Sequence, residues 1–201
     1  DSVIYSICTA VDGSVYAASN SDLFHYYEGQ WKKILLNDNA SISAIRTMTP
    51  SPRGGVWLAS HQGAFCLQDG KTTFFHLSKK ESRYVDPALV DHVIACPQKL
   101  KSATQVVFHI KEDSHGRVWM VNDQAIFRYD PRLGADNESA WKSYRYDWKK
   151  GLRFWPRNTI IHELHDGTLW LVSRVAQYTL NGDDEWIASA EIDREEVHNE
   201  V

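Results

Sequence analysis

The sequence lacks most features that would announce a function directly. Cysteine is scarce, with three residues, Cys8, Cys66 and Cys96. The odd count and the missing CxxC argue against a disulfide framework or a zinc site. Cys8 and Cys66 fall within apolar strand patterns and read as buried small hydrophobes. A Cys8–Cys66 bridge would require facing geometry that sequence does not show. Positive charge is nowhere concentrated: no basic block exceeds a Lys-Lys pair, as at Lys32-Lys33, Lys79-Lys80 and Lys149-Lys150, and the formal net charge is -4. Without a basic stripe to neutralise phosphates, a dominant nucleic-acid role is excluded. No apolar run approaches the ~20 residues of a membrane helix. No signal peptide opens the chain, although a missing leader does not assign it to the cytoplasm. The sequence holds no HExxH, no GxSxG and no phosphate-binding glycine loop.

Apolar residues make up 43% of the 201 residues, enough for a sizeable core and too many for a disordered segment. Aromatics reach 12%, with eight Trp. They recur in register. Four segments align: Ile4–Ser19 followed by Leu23–Tyr27 and Trp31; Ile42–Ile45, Gly55–Ser60, Ala64–Leu67 and Thr73–His76; Val107–Val121, Ala125–Tyr129 and Trp141–Tyr144; and Thr159–Ser173, Ala176–Leu180 and Trp186. Each begins with a short apolar strand and continues into a turn holding glycine: Asp12-Gly13, Arg53-Gly54-Gly55, His115-Gly116 or Asp166-Gly167. Hairpin turns demand positive φ, which a Cβ penalises. A second strand then carries an aromatic at a fixed offset, Tyr16, Trp57, Trp119 and Trp170, and two further strands follow.

Short strands with regularly spaced turn signals predict an all-β fold. One four-stranded sheet per repeat, arranged radially, is a β-propeller blade. The expectation is therefore a propeller of about four four-stranded antiparallel blades, standing alone or as part of a larger ring. The blades cover residues 3–36, 42–77, 105–147 and 158–190, with an insertion at 78–104 and a charged tail at 191–201. The second-strand aromatics are expected to pack between blades. Within the insertion, Ala88–Ala95 reads as a short helix or a degenerate strand.

The best copies are Phe108–Trp119 with Ile126–Pro131, and Ile161–Trp170. Their pattern, Ile-x-x-Ile-x-x-Asp-x-x-Gly-x-Val/Leu-Trp and then Phe-x-Tyr, resembles the two-component regulator propeller repeat. The third-strand start departs from that family's Gly-Leu, reading Asp22-Leu23, Gly63-Ala64, Gln124-Ala125 and Val175-Ala176. The resemblance implies a non-enzymatic ligand-sensing propeller on the periplasmic or extracellular side of a membrane-anchored hybrid histidine kinase-type regulator. Its ligand would be a carbohydrate or another small molecule, and any kinase or cyclase output module would lie outside this chain. Two alternatives stand beside it: a protein-interaction propeller that assembles, for example as a homodimer, and a propeller lyase or lactonase.

No cofactor or metal is expected. His162 and His165 flank a strand end and point to opposite faces if the segment is extended. Asp12, Asp113 and Asp166 read as turn residues whose side chains accept backbone hydrogen bonds. His25, His76 and His109 occur singly on strands. The candidate ligand surface is the face formed by the second-to-third-strand loops and the blade-to-blade connections. It would carry Asn20, His61, Gln62, Asn122, Asp123 and Arg174. The connection 147–157 adds Trp148, Arg153, Trp155 and Arg157, two rings beside two guanidinium groups, which suits a sugar face or a partner protein. The competing reading makes Trp148 and Trp155 plugs between blades three and four. The residues singled out for ligand binding are thus Trp148, Arg153, Trp155, Arg157, His61, Asn122 and Arg174.

Overall fold

The structure, a computed structural model, describes residues 3–19, 22–34, 45–79, 90–147, 152, 155–174 and 176–191. Within them the repeat closes into four sheets of consecutive strands. The first holds β1 (Ser6–Thr9), β2 (Val15–Ala18), β3 (Leu23–Tyr27) and β4 (Gln30–Ile34). The second holds β5 (Ile45–Pro50), β6 (Val56–Ser60), β7 (Gly63–Gln68) and β8 (Lys71–His76), extended by β9 (His92–Ala95). The third holds β10 (Val107–Glu112), β11 (Val118–Asn122), β12 (Ala125–Tyr129) and β13 (Trp141–Arg145). The fourth holds β14 (Ile160–Glu163), β15 (Leu169–Val172), β16 (Ala176–Leu180) and β17 (Trp186–Glu191). Every pairing inside these meanders is antiparallel; β9 alone joins parallel, Thr73 opposite His92 and His76 opposite Ala95. Of the two readings of Ala88–Ala95, the strand holds from His92. The charged tail from Ile192 lies outside the described residues.

The first hairpin of each sheet repeats one backbone device. Ala10, Ser51, Asp113 and Leu164 each take a hydrogen bond at their carbonyl from a glycine N–H three residues on, and give their own N–H to the carbonyl of the residue after that glycine. The four glycines, Gly13, Gly54, Gly116 and Gly167, all sit at positive φ, between 75° and 96°. Four different local sequences thus make one turn, because each supplies glycine where a Cβ would be strained.

This turn fixes the register between copies. Cys8 pairs with Tyr16, Thr49 with Trp57, Lys111 with Trp119 and His162 with Trp170. One residue away, Ile7, Met48, Ile110 and Ile161 share the opposite face with Ala17, Leu58, Met120 and Leu171. The core follows from these two faces. The aromatic face of sheet one (Cys8, Tyr16, Ala18) packs with the opposite face of sheet two (Met48, Leu58, Phe65, Phe74). Trp57, Ala59, Cys66 and Phe75 then meet Ile110, Met120 and Phe127, and Trp119, Val121 and Ile126 meet Ile161, Leu171 and Tyr178. Each buried large side chain contributes roughly 1.5–3 kcal/mol to this stacking. The inner strands run side by side in chain order, β1 on β5, β5 on β10, β10 on β14. Thr49 Oγ1 donates to the Ile110 carbonyl at 2.9 Å, and His109 Nε2 lies 3.2 Å from the Ile161 carbonyl, so backbone polar groups also tie sheet to sheet.

Candidate functional site

Two adjacent carboxylates, Glu112 and Asp113, are buried and serve structural roles. Glu112 is buried between sheets two and three. It accepts from Trp57 Nε1 at 2.7 Å and Ser51 Oγ at 2.8 Å, and pairs with Arg53 Nε at 2.9 Å. Asp113 accepts from Trp119 Nε1 and from Arg117 Nε, both at 2.7 Å. Each carboxylate therefore holds the indole N–H of one second-strand tryptophan, which would otherwise be buried without a partner. The expected turn role applies to Asp12 and Asp166, which accept from the N–H of Ser14 and Thr168 at 2.9 Å, and to Asp113, whose Oδ1 accepts from the N–H of His115 at 3.0 Å and of Arg117 at 2.9 Å. Asp113 occupies a different turn position, that of Ala10, Ser51 and Leu164. It is not one of three equivalent acids.

Cys8, Cys66 and Cys96 are all free and buried. Burial pushes the Cys66 and Cys96 thiols up to about 12, which keeps them protonated and inert. Among the described residues no group of three or more His, Cys, Asp or Glu stands close enough to share a metal ion.

The loops joining second and third strands close by a second repeated device. Ser60 Oγ donates to the Gly63 carbonyl at 3.1 Å and Ser173 Oγ to the Ala176 carbonyl at 3.0 Å, and Ser19 Oγ accepts from the Asp22 N–H at 3.0 Å. Asn122 occupies the same place, with its Oδ1 accepting from the Gln124 N–H at 3.0 Å. It is 0% exposed, and its amide also donates to the Val106 carbonyl at 2.7 Å and accepts from Ser102 Oγ at 2.8 Å. Asn122 is thus a loop pin with no polar group turned to solvent, and the structure removes it from the ligand surface. The signal was in the sequence: Ser19, Ser60, Asn122 and Ser173 each follow the repeat aromatic by three residues.

Neighbouring bonds stitch the end of the insertion to this loop. Thr104 Oγ1 donates to Asp123 at 2.6 Å, and Gln124 Oε1 accepts from the Ala103 N–H at 2.8 Å. Gln105 Oε1 accepts from the Leu77 and Ser78 N–H groups, both at 2.9 Å. Close approach is built in as well: a Cβ on Gly63 would lie 2.5 Å from Gln105 Nε2, which explains why glycine persists at the start of β7.

On the same face the structure brings His61 and Arg157 together with a residue the sequence reading had not selected, Arg46. Arg46 Nε donates to His61 Nε2 at 3.0 Å. His61 is held below its usual range by partial burial, then by the charges of Arg46 and Arg157. A histidine accepting from a guanidinium is neutral at that nitrogen. Among the described residues no carboxylate forms an ion pair with Arg46, Arg157 or Arg174. Arg46 is the second residue of β5 in the second sheet, whereas Arg157 lies in the short 3-10 turn Pro156–Asn158 that leads into β14 of the fourth. Arg46, which bonds His61, and Arg157, whose charge acts on His61, thus come from distant parts of the chain. Nothing in the sequence around Arg46 marks it, because the convergence depends on the stacking of sheets.

Trp155 precedes that 3-10 turn and is 55% exposed, while its carbonyl accepts from Thr159 Oγ1 at 2.8 Å. Of the two readings of the tryptophans, Trp155 follows the exposed one. Among the described residues of this connection, Leu152 belongs to the core cluster between sheets three and four, with Trp119, Tyr144 and Trp186. Trp148 and Arg153, like Asn20, lie outside the described residues. Arg174 is exposed at the β15–β16 loop.

No family model matches this chain, and no curated protein matches it in sequence. Solved structures do match in fold. The extracellular domain of the putative hybrid two-component system BT3049 from B. thetaiotaomicron aligns with a TM-score of 0.63 at 13% identity, over 94% of this chain and 25% of that one. Virginiamycin B lyase from Staphylococcus aureus aligns with a TM-score of 0.60 at 15% identity, over 95% of this chain and 56% of the lyase. PorZ, a surface component of the type-IX secretion system of Porphyromonas gingivalis, aligns with a TM-score of 0.59 at 15% identity, over 97% of this chain and 28% of PorZ. These neighbours are β-propellers, and at such identities the likeness is one of fold. The chain spans between a quarter and little more than half of their lengths. No helix among the described residues is long and apolar enough to cross a membrane.

Proposed function

We propose that this chain is the ligand-sensing propeller region of a two-component-type signalling protein, placed on the extracytoplasmic side of a membrane. Its four sheets are radial blades, and output is carried elsewhere in the full protein. The fold likeness to an extracellular domain of a hybrid two-component system supports the sensor reading. The observation that carries it is the convergence of Arg46, His61 and Arg157 on the loop face, two residues from the exposed ring of Trp155. Guanidinium groups that no carboxylate neutralises, as Arg46 and Arg157 are among the described residues, bind carboxylate well by charge-assisted hydrogen bonds. An exposed indole offers an apolar face to a pyranose ring. The ligand class that fits both is an oligosaccharide bearing an acidic sugar.

The reading assigns this site no catalytic role. The buried carboxylates are committed to Trp57 and Trp119, and His61 is committed to Arg46. Calorimetric titration with matched neutral and uronate-containing oligosaccharides tests the reading. The acidic series should bind, and Arg157→Ala, Arg46→Ala and Trp155→Ala should each weaken it by about tenfold or more. Binding that ignores all three substitutions would refute the site. Turnover of a lactone by the purified chain would refute the non-enzymatic assignment.

A further inference from the structure

Arg46, His61 and Arg157 are all exposed, so protons and ligands reach them freely. His61 sits in the loop between β6 and β7, and Arg46 reaches it from the neighbouring strand β5. Two nitrogens of the Arg46 guanidinium, Nε and Nη2, both converge on His61 Nε2. A guanidinium has donors only, so Nε2 is the acceptor and carries no proton. Nε and one terminal nitrogen form an edge that grips both oxygens of a carboxylate in a bidentate pair. His61 therefore occupies an edge of Arg46 that an acidic ligand would use. It fills that edge poorly, because one ring lone pair serves two donors where a carboxylate offers two oxygens. The charges that act on His61 are Arg46 and, from the turn before β14, Arg157. The loop residues Ser60, Gln62 and Gly63 carry none. Both arginines stay charged at every working pH. His61 is thus the member of this cluster that changes charge between about pH 5 and about pH 8.

We propose that His61 is a proton-operated gate on Arg46: the neutral ring holds the guanidinium edge closed, and an acidic ligand takes that edge as the ring gains a proton. The gate rests on the acidic-ligand reading above and adds its regulation. A protonated Nε2 is a donor and a cation, so it no longer accepts from Arg46 and repels it. The freed edge of Arg46, the imidazolium and Arg157 then present three positive groups to one carboxylate. In the free chain partial burial, then the two cations, hold His61 below 6.5, and a bound carboxylate opposes the cations and raises it. Binding and protonation are therefore reciprocal: the ligand favours proton uptake, and affinity rises as pH falls. A sensor built this way answers an acidic sugar most strongly where its surroundings are acid.

Calorimetric titration of the chain with trigalacturonate, in buffers of differing protonation enthalpy, tests the gate. The probe's carboxylates stay ionised from about pH 8 to about pH 5. Across that range affinity should rise by up to about tenfold per pH unit, with up to about one proton taken up per ligand. His61→Gln keeps an acceptor for Arg46 that does not titrate, so binding should stay weak and flat with pH. His61→Ala leaves the edge open, so binding should again be flat, tighter than the wild type at about pH 8 and weaker at about pH 5. This crossing separates a gate from a plain ligand contact, whose loss would weaken binding at both ends of the range. Wild-type binding that Arg46→Ala weakens but pH leaves unchanged, with no proton taken up, would overturn the gate and leave the acidic-ligand reading standing. Absence of binding at every pH would overturn that reading and the gate with it. A ligand-free measurement is independent of the sugar chosen: in a nuclear magnetic resonance titration His61 should gain its proton below 6.5, and Arg46→Ala should move that step upward. A ring indifferent to Arg46→Ala would overturn the bond on which the gate depends.

Discussion

Glu112 and Asp113 are adjacent in sequence and serve opposite sides of the third sheet. Glu112 reaches back to Trp57 and Ser51 of the second sheet, and Asp113 reaches Trp119 of its own. Removing a buried acceptor strands its donors, which costs more than the bond contributes net. Glu112→Ala should therefore lower unfolding free energy by about 2–4 kcal/mol, part of it discounted because Arg53 is half exposed. Asp166→Ala, which loses its bond to the Thr168 N–H in an exposed turn, should leave the denaturation midpoint close to that of the wild type. Urea denaturation of both variants checks the contrast. Equal effects would mean that the Trp57–Glu112 bond is not the staple described.

Between elements, His109 is a buried titratable group whose protonation depends on sheet stacking. It sits on β10 with Nε2 on the Ile161 carbonyl of β14, and its Nδ1 has no hydrogen-bond partner. Burial lowers its pKa from 6.5 to about 4, against a smaller opposing effect of the Ile161 bond and with a small contribution from Lys111. Below pH 6.5 the unfolded chain takes up a proton that the folded chain refuses, so stability falls as pH falls. The loss begins near 6.5, grows until about 4 and then levels off. Denaturation midpoints of the wild type and of His109→Gln, measured across that window, should diverge in slope, with the variant flatter. The clip at the other side of the same interface behaves differently. Asp184 is opposed by burial, but bonds from Lys142, Tyr144 and Arg128 outweigh this and hold it below the usual carboxylate range. Its contribution persists through that window and is lost only at lower pH, so it does not mask the histidine.

At the scale of the molecule each sheet packs against its neighbours in chain order, and stability should vary from sheet to sheet. Sheet one is held on one face, sheet two on both. Cys8 lies in the outer interface and Cys66 in the next one. Both thiols are pushed up by burial, so labelling reports opening rather than intrinsic reactivity. In sub-denaturing urea, mass spectrometry should find Cys8 modified before Cys66. Simultaneous modification would show that the stack opens as one unit.

The sheets themselves were legible in the sequence, because strand alternation, turn glycines and the recurring aromatic act within about thirty residues of each other. The same offset marked Asn122, three residues after Trp119, as a loop pin alongside Ser19, Ser60 and Ser173, although only the bonds made that reading plain. The strand nature of His92–Ala95 was ambiguous because its partner, β8, is fixed by long-range pairing rather than by local pattern. Arg46 was illegible for the same reason. Local chemistry determined the repeat, its turns and its packing faces. Which side chains from different repeats meet, as at His61 and between Glu112 and Trp57, was decided only by stacking, because a cross-sheet contact depends on how whole sheets sit against one another and leaves no trace in the spacing of residues.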